Sequence, residues 1–155
     1  MYDYTLEHLC TISAGLQNPP EVIGPTPEGL RMNIYITGGE VKGTHLNGKV
    51  LPVGADWLTV RSDGVGILDI RATLETDDGA FVDMDYDGIA TFTDEQINGL
   101  LKGTFPEEVH CLTTSRFETG HSSYLWLNKI KACASGKAFF KGNDISIEYS
   151  VYALR

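Results

Sequence analysis

The stretch Gly38–Trp57, GGEVKGTHLNGKVLPVGADW, constrains this chain more than any other. It holds five glycines and one proline, separated by short apolar steps. Glycine reaches backbone angles closed to other residues, and proline withdraws a hydrogen-bond donor. A segment punctuated this way makes tight turns between short strands rather than a long helix. Downstream, Gly66–Thr76 is the longest clean alternation in the chain. Ile67, Asp69, Arg71, Thr73 and Glu75 fall on one face; Leu68, Ile70, Ala72 and Leu74 fall on the other. A period of two is the mark of a strand whose two faces meet different surroundings. The strand ends in Thr76-Asp-Asp-Gly79, a turn signal because Asp-Gly suits a positive backbone angle.

The same reading predicts strands at Tyr4–Ile12, Leu30–Thr37, around Lys49–Leu51, Asp56–Ser62, Ala80–Tyr86, Val109–Phe117, Leu125–Ala134 and Ile145–Leu154. Ser62-Asp-Gly64 and Asp87-Gly88 read as further turns. The run from Asn18 to Gly29 carries Pro19, Pro20, Pro25 and Pro27 and predicts an irregular loop. A single helix is predicted at Thr93–Leu101. Thr93 can cap it, Gln96 completes a capping box, and Asp94 and Glu95 suit its positive end. One all-β domain over residues 1–155 is expected: an antiparallel closed or nearly closed barrel of about eight strands with one short helix. Closure removes exposed sheet edges, and a barrel of this size admits side chains or one small ligand.

Composition narrows the function classes. Apolar residues make up 42% and charged residues 21%, which argues against disorder. The net charge of −9 repels phosphate backbones, so no nucleic-acid partner is expected. No apolar run approaches the roughly 20 residues that span a bilayer, so no membrane partner is expected. MYDYTLEHL lacks the basic and apolar segments of a secretory signal, which predicts a cytoplasmic location. Cys10, Cys111 and Cys133 form no CxxC or zinc-type spacing, and His8, His45, His110 and His121 show none either. Neither a metal nor a cofactor is expected.

Several motifs in one order resemble a known family: Gly38-Gly39, Gly43, Gly48-Lys-Val-Leu-Pro52, Gly54-Ala-Asp-Trp57, Leu68-Asp-Ile-Arg71, Thr76-Asp-Asp-Gly79, Phe117-Glu-Thr119 and Tyr124-Leu-Trp-Leu-Asn128. The chain is similar, from about Leu30 to Tyr152, to the domain of unknown function 3237 family. The resemblance implies a β-barrel akin to lipocalin-like or allene oxide cyclase-like barrels, and no established activity. Val53 departs from the family pattern, which often has a second glycine before Gly54.

The polar row Asp69, Arg71, Thr73 and Glu75 admits two readings. As a solvent-exposed wall it would carry cross-strand ion pairs of small energy. As a lumen face it would place Arg71, paired with Asp69 or Glu118, where it could bind a carboxylate or an enolate. On the second reading the site lies in the barrel mouth or lumen and is lined by Arg31, Trp57, Asp69, Arg71, Tyr86, Glu118, Trp126 and Asn128. Asp77 and Asp78 read as turn residues, and Asp83, Asp85 and Asp87 as a solvated acidic face.

Three functions fit this reading. One is a binding barrel for an apolar or aromatic metabolite with an anionic group. Another is an isomerase or cyclase using an Arg and a carboxylate as acid–base groups. The last is a structural oligomer without a ligand. A homo-oligomer is expected, because apolar rows at Leu68–Leu74 and Ile145–Val151 would need cover if they faced outward.

Overall fold

The computed structural model describes residues 3–155; Met1 and Tyr2, at the head of the segment read for a signal, lie outside the described residues. The strands are β1 (Leu6–Leu16), β2 (Glu21–Thr26), β3 (Gly29–Lys42), β4 (Gly48–Val60), β5 (Val65–Thr76), β6 (Phe81–Thr91), β7 (Glu108–Glu118), β8 (Ala132–Lys141) and β9 (Asp144–Leu154). Neighbours pair antiparallel in the order β1-β9-β8-β7-β6-β5-β4-β3-β2, and β1 also pairs with β3. That second pairing closes eight strands into a barrel and leaves β2 as an extra strand hairpinned onto β3. The helix α1 (Asp94–Leu101) begins at the expected capping box. Gln96 N–H donates to Thr93 Oγ1, and Thr93 N–H donates to the Gln96 side chain.

The proline-rich run contains β2, where only a loop was expected. Pro25 lies within it, as a strand on the margin of a barrel tolerates. The two short strands expected before Gly66 are one strand, β4. Its ladder to β5 breaks between Val50 and Gly54 and its ladder to β3 between Val50 and Ala55, so Leu51–Val53 bulge from the wall. Leu125–Asn128, read as strand, belong instead to a 3₁₀ helix, Ser122–Lys129, which buries Leu127. Asp87-Gly88, read as a turn, continues β6 as far as Thr91.

Alternation assigns the faces. Leu68, Ile70, Ala72 and Leu74 are buried in the barrel interior, as are Ile145, Tyr149 and Val151. Both apolar rows that motivated a homo-oligomer therefore face inward, and that motive falls away. No helix among the described residues is long and apolar enough to cross a membrane.

Candidate functional site: the barrel lumen

One inward position in β4 breaks the apolar rule. Asp56 is paired in register with Ile34 on β3 and Ile70 on β5, two core residues, so its side chain shares their face. It lines a small cavity together with Ile36, Val50, Ile70, Ala72, Tyr86 and Tyr149. Its free volume is about 30 Å³, room for one or two waters or a small head group. Among the described residues, no Lys, Arg or His lines this cavity. The wall beside it is interrupted at the β4 bulge.

Burial in this wall pushes the Asp56 carboxyl up to about 7, because removing a charge from water favours the neutral form. The Asp69 N–H donates to Asp56 Oδ1 at 3.2 Å and opposes that rise. The Asp69 charge adds to it, and the Arg31 charge works against it. Tyr86 and Tyr149 meet edge to face, with ring centroids 6.1 Å apart at 80°. Tyr149 lies over Gly136, its cross-strand partner, where any Cβ would sit 2.5 Å from Tyr149 Cδ1. Burial raises both phenols, Tyr149 well above its ordinary value, so both hydroxyls stay neutral. Cys111 lies beside Tyr149 and is raised by burial as well. On the inward row of β7, the hydroxyls of Thr113 and Ser115 are buried without a protein partner. Ser115 is the cross-strand partner of Tyr86.

Of the residues expected to line the lumen, Tyr86 does so. Arg31, Trp57, Asp69, Arg71 and Glu118 do not: each occupies the opposite parity of its strand and faces outward. Arg31 Nη1 donates to Thr59 Oγ1 at 3.2 Å. Trp57 is half-buried, and Asp69 and Glu118 are exposed. The Arg71 side chain is 60% exposed, and its partner is Asp85 at 3.3 Å, not Asp69 or Glu118. Arg116 reaches the same carboxylate from the other side at 2.8 Å. Trp126 and Asn128 belong to the 3₁₀ helix. Trp126 packs on the core edge to face with His45.

Asn128 exchanges two 2.8 Å hydrogen bonds with the Thr119 backbone, one through each end of its amide. Thr119 Oγ1 donates to Phe81 O, and Tyr124 OH donates to Asp78. The motifs Thr76–Gly79, Phe117–Thr119 and Tyr124–Asn128 thus tie the 3₁₀ helix to the barrel.

Arg71, Glu118 and Asn128 do come together, with Asp85 and Arg116, along a broad groove of about 1100 Å³ on the outer wall. It is a solvated surface of exposed ion pairs. The sequence reading passed over Asp56 and Tyr149 as site residues. The available signal was an acid standing in register with Ile34 and Ile70, and that register is hidden until the β4 bulge is known.

The chain belongs to the family described as Protein of unknown function (DUF3237), whose model matches residues 4–154. It is 41% identical over 106 residues to a UPF0311 protein of Rhodopseudomonas palustris, covering 67% of this chain and 69% of that one. A β-barrel-like protein of Acinetobacter baumannii, solved by crystallography, superposes with a TM-score of 0.81 at 35% identity, covering 100% of this chain and 98% of the other. The crystal structure of an enzyme from Penicillium herquei aligns with a TM-score of 0.65 at 21% identity over 100% of this chain and 97% of that one, a likeness of fold alone.

Proposed function

We propose that this barrel binds a small, largely apolar molecule at the lumen cavity, with a polar head group held against Asp56. The observation that carries this reading is the placement of one carboxyl, half-buried, in a wall of Ile36, Val50, Ile70 and Ala72. An acid set among apolar walls, with no Lys, Arg or His among the described residues lining its cavity, is costly in a purely structural core. A cavity with apolar walls and a few converging polar groups is the usual form of a ligand site. The anionic head group expected from the sequence is dropped, because its guanidinium partner stands outside the barrel.

A second reading, an isomerase-type enzyme, is favoured by the pKa of Asp56. A carboxyl near 7 gives and takes protons with equal ease at neutral pH, which is what general acid–base catalysis requires.

Native mass spectrometry after incubation with a small-molecule metabolite extract tests the binding reading, with the retained mass mapped by chemical-shift changes. Retention that shifts Tyr86 and Tyr149 supports it. Retention that shifts only Arg71 and Arg116, or no retention at all, contradicts it.

A further inference from the structure

The polar groups of the lumen share one chemical character. Tyr86 and Tyr149 line the cavity with Asp56, and each carries a hydroxyl held neutral by its surroundings. The Tyr149 hydroxyl faces the Cys111 sulfur, which leaves Tyr86 the freer donor. One Asp56 oxygen accepts from Asp69 N–H; the other has no partner among the described residues. Among the described residues, no cation lines the cavity to receive an anion. A protonated carboxyl and a tyrosine hydroxyl are both hydrogen-bond donors, and an apolar wall strengthens each bond they make.

We propose that the head group this site takes is a neutral carbonyl, its oxygen accepting from the Asp56 carboxyl and the Tyr86 hydroxyl. This rests on the lumen being the ligand site. An anion would meet a carboxyl and no counter-charge. A cation would need Asp56 ionised, which burial disfavours, and among the described residues no second acid lines the cavity to share its charge. A carbonyl oxygen accepts two hydrogen bonds and needs no charge, so it matches the two donors. The same arrangement would stabilise negative charge developing on that oxygen, as in enolisation. The charged and titratable groups around Asp56 are the outward-facing Asp69 on β5 and Arg31 on β3, which act on it through the wall, and, across the lumen, Tyr86, Cys111 and Tyr149.

The test uses three probes of matched size: acetone, isopropylammonium and acetate. Each is titrated into the intact protein and followed by NMR at Tyr86 and Tyr149. Acetone is expected to shift these residues saturably at pH 6. Its affinity should fall about tenfold by pH 8, as the protonated fraction of a carboxyl titrating at about 7 falls by that factor. Asp56→Asn, which keeps a donor, should bind acetone at both pH values without that dependence. Tighter lumen binding of acetate or isopropylammonium than of acetone overturns the carbonyl assignment and leaves the lumen as the site. Acetone binding that ignores pH in the parent protein overturns the role of Asp56 as donor. Failure of all three probes to reach the lumen overturns both the assignment and the lumen reading.

Discussion

The backbone N–H of Asp69 donates to the side chain of Asp56 across the β4–β5 seam, at 3.2 Å. An outward-facing acid thereby steadies an inward-facing one through its main chain. The pairing runs through Asp56↔Ile70 and resumes at Thr59↔Ile67. In between, the Asp69 amide is served by a carboxylate. In Asp56→Leu the Asp69 amide should lose protection from hydrogen exchange while the Ile70 amide keeps it. Equal protection in the two proteins would show that the side-chain bond is not formed in solution.

Asp56 also couples stability to pH. Its carboxyl titrates at about 7 when folded, against 3.8 ordinarily. Between those values the folded protein holds a proton that the unfolded chain has released. Stability contributed by this group is therefore present at low pH and lost as pH rises through 7. The loss is on the order of 4 kcal/mol for a shift of this size. Asp56→Asn should be more stable than the parent above pH 7, and that advantage should shrink toward pH 4. Urea unfolding at several pH values measures it; a constant difference contradicts the assignment.

Arg71 and Arg116 share Asp85 on the outer wall, with the two Arg side chains 60% and 65% exposed. Exposed pairs are screened and contribute roughly 0–1 kcal/mol. Arg71→Ala should lower stability by no more than about 1 kcal/mol and leave lumen binding unchanged. A loss of lumen binding in this variant would return Arg71 to the site.

Barrel closure depends on Gly39. It pairs with Ala14 across the β1–β3 seam, and a Cβ there would sit 2.1 Å from Ser13 O and 2.6 Å from Ala14 Cα. Gly39→Val should cost roughly 3 kcal/mol or more, at the upper end for single substitutions. Thermal unfolding reads this directly; an unchanged midpoint would show that the seam tolerates a side chain.

Much of the architecture was legible in the sequence because local signals and tertiary demands agree there. The alternation of Gly66–Thr76 is β5, and the capping box at Thr93 starts α1. Where the two conflict, local reading failed. Pro25 spoke for a loop, yet β2 forms against β3. Tyr124–Asn128 are apolar enough for a strand, but the Asn128 bonds to Thr119 hold them in a 3₁₀ turn.

The site was harder to read. Alternation separates two faces without saying which is inside, and Arg71 drew attention to the wrong one. Asp56 was visible only as part of a glycine-rich motif. Its inward aim depends on the bulge at Leu51–Val53, two breaks in register that no periodicity reports.

The central claim is that the lumen holds a carboxyl whose titration burial pushes up to about 7, so that about half of it is protonated at neutral pH. A carbon-13 NMR titration of the Asp56 side-chain carboxyl tests it most directly, with Asp56→Asn to assign the resonance. The account predicts a midpoint near 7. A midpoint near the ordinary aspartate value of 3.8 would mean that Asp56 is solvated and charged, and would contradict the account.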